Sequence, residues 1–180
     1  MPAKTQHKTL ITRRRLLQAS LVGGALAVGG GSAYLAWAPT EPVAESYQWL
    51  RASEVQLLSY LVPVVLAGNR PQNAKQLQDY LTALDYKLLH LSRDKAEQLR
   101  QLFTLLSQRW SRWPLTGIWQ DWSEISPEQI QAFLQRWQHS SLSVLVMGQA
   151  ALTQLLLLTR YSQLDSWAHC GYPGPPDILG

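Results

Sequence analysis

The sequence predicts an all-α fold, a small helical bundle of about five helices with an extended Pro/Gly-rich C-terminal tail. Three observations support this prediction. Apolar residues recur at three- and four-residue spacing after position 39, which is the period of a helix with one buried face. Residues that cap helices stand directly before several of these segments. No segment of useful length shows the alternation of a half-buried strand.

The chain divides into three parts: a signal or anchor segment at 1–38, a helical domain at 39–161 and a docking tail at 162–180. The part after the signal has about 140 residues, which is enough for one domain with one modest core.

The first part has the pattern of a twin-arginine export signal. Arg13 and Arg14, followed by Arg15, stand directly before a mildly apolar, glycine-rich stretch at 16–38. Bacterial translocases that read such signals move folded proteins, so an exported chain can carry a cofactor-loaded partner with it. The predicted compartment is therefore the periplasm, at the inner membrane through a complex or an uncleaved signal.

Two questions about this segment stay open: whether it is an ordinary membrane anchor, and whether it is cleaved. An ordinary membrane anchor also has positive residues before an apolar stretch, and this stretch has roughly the 20 residues that cross a bilayer. If the signal is cleaved, the candidate sites follow Ala33 and Ala38, and Pro39 would hinder cleavage at the second. N-terminal sequencing of the exported protein shows whether the segment is cleaved.

The net charge of +4 arises entirely in the signal segment. From Pro39 onward the chain has 11 Lys and Arg against 12 Asp and Glu. Binding to nucleic acid requires a basic face on the folded domain, and the composition predicts none.

A polar, proline-bearing linker is expected at 40–47, before the first helix of the domain. That helix is predicted over 50–67, where Ser53 can cap it and Pro63 should kink or split it.

The next two helices are marked by their caps. Asn73 precedes an amphipathic segment at 74–91, and Ser92 precedes another at 93–110.

The last two helices follow a capping-box pattern. Ser126, Pro127 and Gln129 predict a helix that runs to about position 139. The segment at 142–161 is the most apolar of the domain, and we expect it to form the core.

Tryptophan is concentrated between the third and fourth predicted helices. Large rings can fill the core where the backbone is irregular, and they can also form a protein-binding surface. The sequence leaves both interpretations open for this irregular connection. Four of the eight tryptophans lie there: Trp110, Trp113, Trp119 and Trp122.

The tail combines aromatic residues with prolines and glycines that favour an extended backbone. Such a segment loses little conformational entropy when it lies along another surface, so we expect it to dock on a partner. A strap over its own domain is the alternative. The tail also holds the only cysteine, Cys170, which is either buried and inert or paired with another chain.

Reactive side chains do not form a recognisable catalytic or metal-binding pattern. His90, His139 and His169 lack the spacing of a helical metal site, and His169 and Cys170 are adjacent with no third ligand in view. We therefore expect no catalytic residue and no metal in this chain. An enzyme that uses His169 and Cys170 is the remaining catalytic alternative.

Taken together, the two ends of the chain resemble the small subunit (gamma, or subunit 3) of membrane-bound sugar and gluconate dehydrogenases. A Leu-x-Pro in the first helix of the domain matches as well. The connection at 115–126 departs from the family, which has prolines where this chain has tryptophans, and the first helix lacks the family's acidic residues after its proline. The residues that carry the resemblance are Arg13, Arg14, Tyr161, Trp167, Gly171, Tyr172, Pro173, Gly174 and Pro175.

The resemblance implies a non-catalytic subunit without a cofactor of its own. Its partner would be a large FAD-dependent subunit of the glucose-methanol-choline type, which lacks an export signal and crosses the membrane with this chain. A multihaem cytochrome c subunit would accept the electrons, and the twin-arginine translocase would recognise the signal. The resemblance also implies a bond from Cys170 to the catalytic subunit. The implied partner-binding residues are Trp167, Cys170, Gly171, Tyr172, Pro173, Gly174 and Pro175.

The alternative function is a twin-arginine-exported periplasmic scaffold or assembly factor for another redox complex.

Overall fold

The computed structural model describes residues 41–163 together with Ser166 and Gly171, and the predicted export signal lies outside this part. The described part contains α-helices, one short 3-10 helix and no strand, so the all-α prediction is confirmed. It has six α-helices where about five were expected. They are α1 Ala52–Val65, α2 Ala74–Leu89, α3 Arg93–Ser107, α4 Arg109–Thr116, α5 Pro127–Gln138 and α6 Ser143–Tyr161, with the 3-10 helix at Trp122–Glu124.

Helix α1 lies at the centre of the domain. It packs against α2, α3, α5, α6 and the 3-10 helix. Pro63 does not split it, because the helix ends only two residues later, at Val65. Its apolar face is completely buried at Leu57, Leu58, Leu61 and Val62.

The expectation that α6 forms the core was wrong. Only four of its 19 residues are buried. Apolar composition predicted a buried helix, but α6 packs one side against its neighbours and presents apolar residues to solvent on the other. The four buried residues are Leu152, Leu156, Thr159 and Arg160.

Capping residues fix two of the predicted helix starts. The Asn73 side chain accepts a 2.9 Å hydrogen bond from the backbone N–H of Gln76 at the start of α2. At the start of α5, Ser126 and Gln129 exchange hydrogen bonds of 3.4 and 3.0 Å between side chain and backbone. Ser53 is not a cap, because α1 begins one residue before it.

The third predicted helix divides at Gln108, whose backbone is extended. The Ser111 hydroxyl donates a 2.8 Å hydrogen bond to the carbonyl of Leu105, which has lost its helical partner. Helix α4 follows in the connection predicted to be irregular. It contains Pro114 and ends at Gly117, which has the left-handed φ of 72° that favours glycine.

The residues between the expected linker and α1 are ordered by a carboxylate of α2. Asp85 accepts hydrogen bonds from the backbone N–H groups of Gln48, Trp49 and Leu50, at 2.8, 2.9 and 2.7 Å. An isolated antiparallel bridge joins Val43 to Arg51 and closes this loop. The segment before α1 is therefore held against α2.

A buried ion pair lies on the other side of the same segment. Arg100 of α3 donates a 2.6 Å hydrogen bond to Glu54 Oε2 and a 2.8 Å bond to the carbonyl of Trp49, and its guanidinium lies 3.4 Å from the Trp49 ring centroid. Glu54 is 1% exposed, and its Oε1 has no hydrogen-bond partner. Burial raises the pKa of Glu54, and this effect outweighs the lowering by the Arg51 backbone N–H and by Arg100.

Replacing Asp85→Ala should lower the free energy of unfolding by about 3 kcal/mol, because three backbone N–H groups lose a charged acceptor. Urea unfolding followed by tryptophan fluorescence measures the change. Asp79→Ala is the matched control, since Asp79 is exposed and pairs only with Lys75 on the same helix. It should change stability by less than about 0.5 kcal/mol. Equal effects of the two substitutions would contradict this role of Asp85.

The raised pKa of Glu54 predicts the sign of a pH effect. The folded state binds this proton more readily than the unfolded chain, so the contribution of Glu54 is greatest below the usual glutamate pKa. It is lost as the pH rises through the raised value. Relative to Glu54→Gln, the unmodified chain should lose stability as the pH rises above the usual glutamate pKa of about 4, measured by urea midpoints. If the unmodified chain instead gained stability relative to Glu54→Gln as the pH rises, attraction to Arg100 would outweigh burial in setting the pKa of Glu54.

Candidate partner-binding surfaces

The tail residues singled out in the sequence mostly lie outside the described part of the chain. This holds for Trp167, Cys170, Tyr172, Pro173, Gly174 and Pro175, and for His169. Gly171 is described: it is exposed and has a φ of 68°, in the left-handed region that glycine adopts without strain.

The root of the tail is held firmly at the end of α6. The Arg160 guanidinium is 7% exposed and donates hydrogen bonds to the backbone carbonyl and side-chain oxygen of Asn69, and to Gln163 Oε1 at 3.0 Å. Lys87 Nζ donates to the carbonyl of Leu158 at 2.9 Å, and the Tyr80 hydroxyl donates to that of Leu156 at 2.7 Å. Two carbonyls in the second half of α6 thus accept hydrogen bonds from side chains of α2.

The outer side of α6 forms a continuous exposed stripe, which we call the α6 stripe. No Asp, Glu, Lys or Arg occurs in α6 before Arg160, so the stripe carries no charge. Met147, Leu158 and Tyr161 are 62%, 58% and 49% exposed. The stripe ends where the tail begins. Its members are Met147, Ala150, Ala151, Gln154, Leu158 and Tyr161.

Helix α6 is also the one helix in the described residues that is long and apolar enough to cross a membrane by length and composition. Helices of soluble domains pass the same test. Its inner side packs on the domain, since the space beside Gly148 is occupied by Trp137 and Leu102.

The tryptophans between α3 and α5 divide between core and surface. Trp122 is 3% exposed, and its indole N–H donates a 3.2 Å hydrogen bond to the carbonyl of Leu106. Trp110, Trp113 and Trp119 are 56%, 53% and 56% exposed. We call these three residues the tryptophan platform. The rings of Trp113 and Trp119 meet edge to face, with centroids 6.1 Å apart.

A buried arginine holds the turn that carries Trp119. Arg112 is 1% exposed, and its guanidinium donates to the carbonyls of Ile118 and Gln120, on either side of Trp119. It also lies 4.8 Å from the ring centroid of Trp122. Desolvation lowers the pKa of Arg112, and the nearby Asp121 partly offsets this effect.

The residues just before this turn are fixed in the same way. The Trp137 indole N–H donates a 2.8 Å hydrogen bond to the carbonyl of Leu115, and Arg136 donates to that of Thr116. The Thr116 hydroxyl accepts from the backbone N–H of Ile118 at 3.2 Å. The platform therefore rests on a backbone whose carbonyls are bound by side chains.

An exposed ion pair lies beside the platform, with Glu124 close to its arginine. Arg109 forms an exposed ion pair with Asp121, and this contact lowers the pKa of the Asp121 carboxyl, so both groups stay charged at neutral pH.

A shallow groove of about 610 Å³ lies next to Trp119. Its lining includes Gln120, Gln129, Gln135, Arg136 and His139.

The described histidines are not assembled into a reactive site. His90 and His139 are exposed, and the Nδ1 of each faces the carbonyl four residues earlier in its own helix, at 2.7 and 2.9 Å. Among the residues that the structure describes, no group of three His, Cys, Asp or Glu side chains could hold a metal ion.

Sequence reasoning missed the α6 stripe as a surface. A signal was available, because 17 consecutive residues from Ser143 to Thr159 lack any charge while containing Gln149 and Gln154. A stretch that is both uncharged and interrupted by amides is more typical of a half-exposed helix than of a fully buried one.

The substitution Arg112→Met should lower the free energy of unfolding by about 3 kcal/mol, because two carbonyls lose a charged donor in a buried position. Arg109→Met removes a cation that is exposed on the same helix and should change stability by less than about 0.5 kcal/mol. Thermal and urea unfolding of both variants measure the difference. Similar losses in both would show that Arg112 does not hold the turn.

Comparisons with protein-family models, with curated proteins and with solved structures find no match to this chain. The resemblance to dehydrogenase small subunits stays a prediction from the sequence.

Proposed function

We propose that this chain is a non-catalytic accessory subunit of a periplasmic oxidoreductase complex. It escorts a signal-less FAD-dependent dehydrogenase of the glucose-methanol-choline type through twin-arginine export and stabilises it in the periplasm. FAD belongs to the partner, and a multihaem cytochrome c subunit is a further partner that accepts electrons.

The observation that carries the proposal is the continuity of the α6 stripe with the tail. The centres of protein–protein interfaces are depleted of charge, and the α6 stripe has this composition over the whole length of the helix. The stripe reaches Tyr161, one residue before the segment whose prolines and aromatic residues resemble the family's docking tail. The α6 stripe and the tail together form a surface that a single partner could cover.

The fixed root of the tail supports the same function. Arg160 binds Asn69, and Lys87 and Tyr80 of α2 bind carbonyls of α6, so the end of the helix is anchored to the domain. A segment that leaves a rigid point loses less conformational freedom on docking than one that leaves a frayed helix.

The resemblance assigns a role to each tail residue. Trp167, Tyr172, Pro173 and Pro175 dock on the catalytic subunit, with Gly171 and Gly174 permitting the turns between them. Cys170 forms a disulfide with a partner cysteine, and the oxidising system of the periplasm takes up the two electrons. Arg13 and Arg14 address the translocase for both proteins.

Co-purification from the native host tests this function. A tagged chain, isolated from periplasmic and membrane fractions, should bring down a large yellow subunit, identified by flavin absorbance and by its band on a gel. With Arg13→Lys and Arg14→Lys together, both proteins should remain in the cytoplasm. Lys8→Arg keeps the charge and the arginine pair, and it should leave export unchanged.

The non-reducing gel separates the finer parts of the proposal. A yellow complex that separates only under reductant assigns the disulfide to Cys170, whereas separation without reductant removes the disulfide and keeps the escort role. A colourless chain, or one bound to a redox protein without flavin, would contradict the proposal and favour the scaffold or assembly factor.

A further inference from the structure

The tryptophan platform is a contiguous aromatic surface. Trp113 and Trp119 contact each other edge to face, and Trp110 lies three residues before Trp113, on the same side of α4. Each side chain is more than half exposed. Single exposed apolar residues are ordinary, but contiguous patches on a soluble domain mark interaction sites.

The fold holds this surface in a fixed position. Burying a guanidinium is unfavourable unless its donors are satisfied, and the donors of Arg112 bind the carbonyls that flank Trp119. The buried side chain of Arg112 thus holds the turn from which the exposed Trp119 projects. Interface residues that contribute most to affinity are aromatic and arginine side chains held in such preorganised positions.

The chemistry of the platform favours a protein over an anionic lipid or a polyanion. Anionic surfaces attract lysine and arginine that are free to reach them. No lysine occurs between 96 and 163, and Arg109 beside the platform is paired with Asp121. The other arginines of that range, Arg100, Arg112, Arg136 and Arg160, each donate to groups of the domain itself.

We propose that the tryptophan platform is a second docking surface, which binds an uncharged, apolar cleft on the catalytic subunit. This inference rests on the proposed function. Carbonyl oxygens in such a cleft would accept the indole N–H groups of Trp113 and Trp119, while the rings fill its apolar walls. Two separate contacts, the α6 stripe with the tail and the platform, hold the partner more tightly than either alone.

The test compares two double variants in the complex isolated from the native host. Trp113→Ala with Trp119→Ala removes the centre of the platform. Tyr86→Ala with Leu89→Ala removes side chains of similar exposure, 64% and 43%, from the outer face of α2. The platform variant should retain roughly tenfold less flavin per chain, and the α2 variant should stay within about twofold of the unmodified chain. Urea midpoints of the isolated chains verify that both variants fold.

Hydroxyl-radical footprinting gives a second measurement that needs no substitution. Trp110, Trp113 and Trp119 should be oxidised readily in the isolated chain and protected in the yellow complex. Tyr86 should be oxidised equally in both states.

The outcomes separate the two proposals. An unmodified yellow complex whose flavin content is unchanged by the platform substitutions, with unprotected indoles, overturns the platform and leaves the escort function standing. An unmodified chain that purifies without flavin overturns both. Binding of the isolated chain to phosphatidylcholine or phosphatidylglycerol vesicles in a flotation assay, lost only in the platform variant, overturns the protein partner in favour of a membrane.

Discussion

The carboxylate of Asp85 fixes the geometry on which the rest of this domain depends. It accepts three successive backbone N–H groups, from Gln48 to Leu50, and so orients the chain as it begins the central helix α1. From the other side, Arg100 binds the carbonyl of Trp49 and the carboxylate of Glu54 in the first turn of α1. With α1 oriented in this way, four other α-helices pack against it.

The same chemistry recurs away from the core, where long cationic side chains close the ends of helices. Arg112, Arg136, Arg160 and Lys87 all donate to backbone carbonyls of the domain. These bonds satisfy acceptors that helices leave open at their C-terminal ends and in turns. They also engage these cations with groups of the domain, and no charged side chain belongs to the α6 stripe or the tryptophan platform. Local satisfaction of the backbone thereby shapes the turns and helix ends that flank these two surfaces.

Features that depend on neighbouring residues along the chain were predicted correctly from the sequence. Features that depend on contacts between distant residues were not. The caps at Asn73 and Ser126 and the helical period are local, and the structure has them. The break at Gln108 depends on Ser111 binding a carbonyl of the preceding helix, which spacing alone does not reveal. The exposure of α6 was missed because an apolar face looks alike whether the domain or a partner covers it. For the same reason, only the structure distinguishes Trp122 from the other tryptophans of its cluster.

The proposed docking subunit has interaction surfaces that are rigid before the partner binds, and hydrogen–deuterium exchange tests that claim most directly. Exchange is compared between the isolated chain and its flavin-containing complex. We expect the backbone amides at 109–122 and 143–163 to be slow already in the isolated chain and slower still in the complex, with the exposed face of α2 unchanged. Fast exchange of both segments in the isolated chain, or identical exchange in the two states, would contradict the account.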